Sequence, residues 1–193
     1  MGCASAPKES SSTVTTSQPQ SSQNSDSSPQ SLEEACKTIF ADCRHNQTIR
    51  LKRADGTLYE QVFELNTPPV QHGELVTIFP GETLYLHGSL NGDRVTNLTT
   101  ASSNREPANT IVLELKQSED DAGMTLTIHN PFGRILKYRA GLQTLEQDEL
   151  LMTSICPVAA GGTASEHWPL PIFQLVLANF QLLPEAVNDM SCE

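Results

Sequence analysis

The chain has 193 residues and a mass of 21.0 kDa, with 37% hydrophobic and 18% charged residues, a size that suits one folded domain with some additional unfolded sequence. Its 12 Lys and Arg face 23 Asp and Glu, which gives a formal charge of −11 and excludes the basic surface that binds nucleic-acid phosphates. No apolar run approaches the ~18 to 20 residues that a membrane-spanning helix requires.

Residues 1–31 have the composition of a disordered segment. Eleven Ser, three Thr, four Gln and three Pro account for 21 of these 31 residues, and such residues bury too little apolar area to form a core. We therefore divide the chain into a disordered tether at 1–31 and a folded domain at 32–193.

The chain begins Met1-Gly2-Cys3-Ala4-Ser5, ahead of this Ser/Thr/Gln/Pro tract. The arrangement resembles the start of a mature bacterial lipoprotein, in which a Cys that follows a small residue carries the lipid. The resemblance implies lipidation of Cys3 after removal of a signal sequence. Ala4 rather than Asp resembles the pattern sent to the outer membrane of Gram-negative bacteria, so the implied location is a lipid anchor in that membrane facing the periplasm.

Acyl chains such as palmitate on Cys3 would anchor the chain through burial of their methylenes. Each buried methylene contributes ~0.8 kcal/mol, and more than one chain gives durable attachment. About 28 flexible residues beyond the anchor have a root-mean-square span of roughly 30 Å and a taut limit of about 95 Å. We therefore expect the folded domain to reach well beyond the bilayer surface.

Two other interpretations of Cys3 stay open. In one, Gly2 is myristoylated and Cys3 palmitoylated on a cytosolic protein, a motif that favours Ser or Thr at the sixth position, where this chain has Ala6. In the other, Cys3 is an incidental thiol in a terminal tail. We carry the lipoprotein interpretation forward.

The other four cysteines predict two disulfides and an oxidising compartment. Ser31 and Glu34 fit a capping box, and the apolar residues that follow at helical spacing predict a helix over 32–43. Such a helix holds Cys36 and Cys43 about 10 Å apart, beyond the ~7 Å that a bridge can span. We therefore expect these two to pair with the other two, Cys156 and Cys192, at about 2 to 4 kcal/mol each. Pairing of Cys36 with Cys43 stays open if the helix ends early.

A metal site is a more specific functional hypothesis for the same cysteines. Cys43 and His45 are separated by one residue and Cys36 stands alone, so the close paired spacing of zinc motifs is missing. The remaining histidines form no repeat with them: His72, His87, His129 and His167. We expect no metal and no cofactor.

From about residue 46 the sequence predicts short strands. Alternating or apolar runs occur at 49–52, 59–65, 75–79, 83–88, 111–116, 124–129, 135–141 and 173–182. Turn sequences separate them, including Asp55-Gly56, Pro80-Gly81-Glu82, Asn91-Gly92, 119–123 and 130–133. We expect 75–79 and 83–88 to form one hairpin in which Leu84 and Leu86 face inward.

Seven to nine short strands without intervening helices predict an all-β fold, an antiparallel immunoglobulin-like β-sandwich with a short amino-terminal helix. The segment from Thr125 to Tyr138 resembles an immunoglobulin-like hairpin of the sort common in bacterial envelope modules. The resemblance is architectural and implies no activity.

Motifs for catalysis are weak. No Gly-x-Ser-x-Gly string is present, and Gly161-Gly162-Thr163 lacks the Lys of a phosphate-binding loop. The segment 165–168 contains a hydroxyl, a carboxylate and an imidazole, but catalytic triads converge from separate elements. We interpret it as a surface loop closed by Pro169 and Pro171, and we expect the protein not to be an enzyme.

Four residues are candidates for binding. Trp168, the one Trp, could stack on a sugar or anchor a protein contact from this loop beside His167, although a lone Trp in a small β domain more often caps the core. Lys137 and Arg139 are at strand spacing and could meet anionic glycans or lipid headgroups, although basic residues on strands more often protect an edge.

These patterns favour a non-catalytic, membrane-anchored envelope lipoprotein that acts as a protein-interaction or accessory module. Its expected partners are the membrane, through the lipid, and another envelope protein or cell-wall component, with no nucleic acid. The alternative is a periplasmic module that binds a small ligand, a glycan or a metal. A hydrolase that uses Glu166 and His167 is the weakest option.

Overall fold

The computed structural model describes residues 34, 36, 43–63, 67–71 and 74–192. The predicted tether at 1–31 and most of the predicted helix at 32–43 lie outside the described residues. Within them the domain is all-β and every strand pair is antiparallel. The strands are β1 Gln47–Lys52, β2 Leu58–Phe63, β3 Val70–Gln71, β4 Leu75–Ile78, β5 Thr83–Asn91, β6 Arg94–Ala101, β7 Thr110–Gln117, β8 Met124–His129, β9 Leu136–Thr144, β10 Leu151–Thr153, β11 Thr163–Trp168 and β12 Ile172–Leu182.

The strands form a sandwich-like arrangement of two layers. One layer has the order β10-β9-β12-β4-β3, and the other has the order β6-β5-β7-β8-β11. The layers join where Gln181 of β12 pairs with Arg94 of β6. The hairpin of β1 and β2 forms a separate two-stranded sheet.

The core lies between the layers and follows from alternation along each strand. In β8, Met124, Leu126 and Ile128 are fully buried, whereas the residues between them are partly exposed. In β12 the strand pairing shifts register twice, and Asn179 has a φ of 56° at the second shift. These irregularities are typical of β-bulges, which change the face that later residues present.

Several predicted features are confirmed. Leu84 and Leu86 face inward with 8% and 0% exposure. The hairpin at Asp55-Gly56 forms between β1 and β2, with Gly56 at a φ of 82°, a left-handed conformation that glycine adopts without steric penalty. The Asn91-Gly92 turn joins β5 to β6, and the acidic turn at 119–123 joins β7 to β8.

The predicted hairpin between 75–79 and 83–88 is wrong. β4 pairs with β3 and β12, whereas β5 pairs with β6 and β7 in the other layer. The intervening turn bonds to β7 instead, because Gly81 N–H donates to the Leu115 carbonyl and Leu115 N–H donates to the Glu82 carbonyl. The Pro80-Gly81 turn therefore carries the chain from one layer to the other.

The segment from Thr125 to Tyr138 is not a hairpin either. β8 pairs with β7 and β11, while β9 pairs with β10 and β12. Asn130 lies at this second crossing between layers and is completely buried. Its side chain bonds to four backbone groups there, so it joins segments that belong to different layers.

The β1–β2 hairpin is attached to the sandwich by an aromatic cluster and by one buried cation. The cluster comprises Tyr59, Phe63, Phe79 and Phe173, whose ring centroids lie 5.4 to 6.4 Å apart. Arg44, just before β1, places its guanidinium 4.8 Å from the Phe79 ring centroid. The hairpin is therefore part of the folded domain.

The cysteine pairing differs from the expected one. Cys36 bonds to Cys43 with a Cα–Cα distance of 5.7 Å, and Cys156 bonds to Cys192. The expected pairing between the amino-terminal and carboxyl-terminal cysteines is therefore wrong, and the local alternative is correct. Cys43 is not helical, so the separation of about 10 Å along one continuous helix does not apply. Cys156–Cys192 ties the carboxyl-terminal tail to the segment between β10 and β11.

Candidate functional site

The segment with the candidate catalytic groups is a strand, not the expected surface loop. All six residues of β11 pair with β8, from Thr163 opposite His129 to Trp168 opposite Met124. Alternation turns Ser165 and His167 outward, whereas Glu166 and Trp168 face the interior. The hydroxyl and the imidazole therefore lie on the opposite side of the sheet from the carboxylate. Ser165, His167 and Glu166 therefore do not line up as the nucleophile, base and carboxylate of a catalytic triad.

Trp168 lies in the core with 9% exposure. Its indole Nε1–H donates to Thr153 Oγ1 of β10 at 2.9 Å. β10 is the last strand of one layer and β11 is the last strand of the other. This bond therefore connects the two layers at that end of the sandwich. The position matches the core-cap interpretation of this Trp, and its ring is not presented for stacking on a sugar.

We expect Trp168→Phe and Thr153→Val each to lower the free energy of unfolding by at least about 1 kcal/mol, because each removes one partner of a hydrogen bond. Trp168→Phe should lose more, since it also removes part of a buried ring from the core. The double variant should lose less than the sum of the two, since both substitutions remove the same bond. Urea unfolding followed by circular dichroism measures all three variants. Strict additivity would show that the bond contributes nothing.

The other candidate binding residues do not converge with Trp168. His167 is exposed on the outer face of β11, with Nδ1 3.3 Å from Thr125 Oγ1. Arg139 is exposed on β9 in the other layer. On the same strand Lys137 Nζ lies 3.5 Å from Asp189 Oδ2. The pKa of Asp189 is lowered, chiefly by the Ser191 backbone N–H and also by Lys137, so this lysine holds the carboxyl-terminal tail.

Two polar side chains lie on the inner side of the sandwich near β11, the partly buried Glu166 and the buried Tyr138. Glu166 Oε1 accepts a hydrogen bond from the Cys156 backbone N–H at 2.6 Å. The carboxylate is therefore bound to the backbone beside the Cys156–Cys192 disulfide. The Tyr138 hydroxyl is buried and has no hydrogen-bond partner among the described residues. Burial raises the pKa of Tyr138, and the negative charge of Glu166 raises it further. The phenol is therefore neutral near pH 7.

We expect Tyr138→Phe to leave stability near pH 7 unchanged or slightly higher, because it removes an unpaired buried hydroxyl. The wild-type protein should lose stability as pH rises above 10.0, the ordinary pKa of Tyr, because the unfolded phenol then ionises and the folded one does not. The variant should lack that part of the decline. Unfolding curves between pH 8 and about 11 test this, and identical alkaline profiles would contradict it.

The glycines at 161 and 162 do not form a phosphate cradle. Gly161 N–H donates to the Phe132 carbonyl and Gly162 N–H donates to the Ala159 carbonyl, so neither donor points to a ligand. In the described part of the chain, no group of three or more His, Cys, Asp or Glu is placed to hold a metal ion. Across that same part, no helix has the length and apolar character to cross a membrane.

The most distinctive surface feature lies on β10, a strand that the sequence patterns did not predict, and on the residue before it. Leu150, Leu151 and Met152 are 47%, 42% and 67% exposed, and we call these three residues the apolar edge. Leu151 lies opposite Leu142 and Met152 lies opposite Gly141 of β9. Within the described residues β10 pairs with β9 alone, so its other side is a strand edge.

Gly141 shapes this edge. A Cβ at position 141 would lie 2.9 Å from Leu150 Cγ, a distance that real Cβ atoms do not show. The missing side chain lets Leu150 lie against the sheet beside Met152. A three-residue strand is too short to show alternation, so the only sequence signal was an apolar Leu-Leu-Met run directly after an acidic segment.

The exposed apolar residues of β2 do not form an equivalent surface. Leu58 and Val62 of β2 are 80% and 57% exposed, but Glu60 lies between them and pairs with Arg50 at 2.7 Å. Charged residues on a strand protect it from pairing with other chains. No charged residue interrupts the apolar edge.

Comparisons with protein-family models, with curated proteins and with solved structures found no match to this chain.

Proposed function

We propose that this protein is a non-catalytic lipoprotein of the bacterial cell envelope, anchored through Cys3 in the outer membrane and facing the periplasm. Its folded domain acts as a protein-interaction module that contacts another envelope protein or a cell-wall component. The observation that carries the proposal is the apolar edge, because contiguous exposed apolar residues on a strand edge without charged residues mark interaction surfaces. The two disulfides fit an oxidising compartment.

The same geometry supports a role without catalysis. Ser165 and His167 face away from Glu166, and Tyr138 is buried and neutral. We therefore place the hydrolase option last. The module that binds a small ligand, glycan or metal ranks second, because His167, Arg139 and Trp168 are distributed over two layers and the interior. We also propose an immunoglobulin-like relationship for the sandwich, which the strand order of an experimental structure would test.

Intact mass spectrometry of the protein from its native membrane fraction tests the anchor. We expect added acyl mass that maps to the peptide containing Cys3, together with four hydrogens fewer than a chain with four free thiols at the other cysteines. A Cys3→Ser variant should lose the acyl mass and leave the membrane fraction. An unmodified chain with four free thiols would overturn both the location and the disulfides.

Photo-crosslinking in living cells tests the interaction. Benzoylphenylalanine at position 152 should form a discrete adduct with one envelope component. The same probe at Ser165 is a matched control, because Ser165 is also exposed but lies on the strand at the edge of the other layer. Equal adducts at both positions, or none at 152, would overturn the proposed role of the apolar edge.

A further inference from the structure

We propose that the apolar edge takes up an extended segment of a partner protein as an added antiparallel β-strand, and that this segment carries basic residues at its carboxyl-terminal end. The inference rests on the proposed function and deepens it by naming the chemistry of the partner. Peptide addition to a sheet edge obtains affinity from main-chain hydrogen bonds and specificity from side-chain contacts.

The first step in the argument is the open edge itself. Natural edge strands are commonly protected by short length, Lys, Pro or a bulge. β10 is only three residues long, but positions 150–153 contain no Lys, no Pro and no bulge. Leu151 and Met152 face opposite sides of β10, yet both are substantially exposed. A strand laid along β10 would therefore bury apolar area on both faces.

The second step is the charge beside the edge. Glu146, Asp148 and Glu149 directly precede the apolar edge and are exposed, and they take part in none of the ion pairs of the described residues. A partner with basic residues at that end gains electrostatic attraction and faster association. Arg139 is exposed on the neighbouring β9, which disfavours basic residues at the other end of the partner strand.

The third step is the orientation and the choice of occupant. Antiparallel pairing is slightly the more stable kind and is used by all strand pairs described here. An antiparallel strand places its carboxyl-terminal end beside the start of β10, where the carboxylates lie. A second copy of the chain is disfavoured, because each copy carries a formal charge of −11 and like charges oppose association.

The probe is an eight-residue capped peptide of alternating Thr and Val that ends in two Lys, added to the full chain with its disulfides intact. Isothermal titration calorimetry measures binding, and Trp168 emission provides a second signal because its indole bonds to Thr153, next to Met152. We expect a version that ends in two Glu to bind at least about tenfold more weakly. A version with Pro at the central positions should not bind, since Pro lacks the N–H donor.

Variants locate the site. Met152→Lys should weaken binding of the Lys peptide by at least about tenfold, because it removes apolar contact and adds a like charge. Leu90→Lys is the matched control, since Leu90 is also 52% exposed but lies on β5, and it should bind as the wild type does. The triple variant Glu146→Gln, Asp148→Asn, Glu149→Gln should abolish the preference for Lys over Glu and the salt dependence of binding.

Several results would overturn the proposal. These are the absence of binding by any peptide, equal binding of the Lys and Glu peptides, and equal effects of Met152→Lys and Leu90→Lys. A dimer that Met152→Lys dissociates would identify a second copy as the occupant instead. Failure of the proposed function is distinguishable: a discrete adduct at position 152 in cells without peptide binding would refute only strand addition. If the peptide binds but the protein shows neither an adduct at position 152 in cells nor acyl mass, the envelope role is refuted.

Discussion

Replacing Arg44 with Ala should lower the free energy of unfolding by about 3 to 5 kcal/mol, the range for removing one partner of a buried ion pair. The side chains of Arg44 and Glu82 are 7% and 15% exposed. Arg44 donates from Nε and Nη2 to the two Glu82 oxygens at 2.5 and 2.7 Å, and from Nη2 to the Thr77 carbonyl at 2.5 Å. Loss of the guanidinium leaves a nearly buried carboxylate without its cation.

Urea unfolding monitored by Trp168 emission measures this effect. Arg50→Ala is the matched control, because Arg50 pairs with Glu60 in an exposed position, where ion pairs contribute little, and we expect no measurable change there. The double variant Arg44→Met, Glu82→Gln should recover most of the loss, since no buried charge is left. If Arg44→Ala were as stable as Arg50→Ala, the buried pair would not hold the β1–β2 hairpin to the sandwich.

Replacing Asn130 with Asp should destabilise the protein by at least ~3 kcal/mol at pH 7, because a buried charge is left facing unpaired acceptors. Asn130 Nδ2 donates to the carbonyls of Arg134, Ala159 and Val158 at 2.8, 2.9 and 3.2 Å. Its Oδ1 accepts the Phe132 N–H at 3.0 Å. The substitution keeps the size and the acceptor but turns a second acceptor toward three carbonyl oxygens.

The pH dependence separates charge from the loss of donors. Burial and the facing carbonyls raise the folded-state pKa of the introduced carboxyl above its unfolded value. The charge penalty is therefore absent below the unfolded pKa, about 4, and grows as pH rises toward the folded-state pKa. Asn130→Ala, which adds no charge, should be destabilised equally at pH 4 and pH 7 relative to the wild type. The interpretation fails if the Asp and Ala variants show the same pH dependence.

Alternation predicted the strands that supply the core. Leu113 and Leu126 are buried at their inward positions, and the turn sequences at Asp55-Gly56 and Asn91-Gly92 form hairpins. These features depend on residues that are close in sequence, because side-chain direction along a strand and the backbone of a short turn are local properties. β11 was not predicted, since its inward residues Ala164 and Glu166 are not strongly apolar. β6 was not predicted either, because its buried residues Val95 and Leu98 are three positions apart and so break the alternation of a regular strand.

The candidate site was the least predictable part. The sequence shows the Leu-Leu-Met run, but it does not show that β10 ends a layer with its outer side unpaired. It shows Ser165, Glu166, His167 and Trp168 as neighbours, whereas strand geometry separates them onto two faces. Both outcomes depend on which strands pair across long stretches of chain.

The sequence by itself determined the all-β class, the acidic charge, the inward-facing residues of most strands and the presence of enough cysteines for two disulfides. Only the tertiary structure decided that the chain crosses between layers at Pro80-Gly81 and at Asn130, which cysteines bond, and which strand is left at an edge. The physical reason is that local sequence specifies where a chain bends and which face of a strand is apolar. The choice of a partner strand depends on packing among residues that are distant in the sequence.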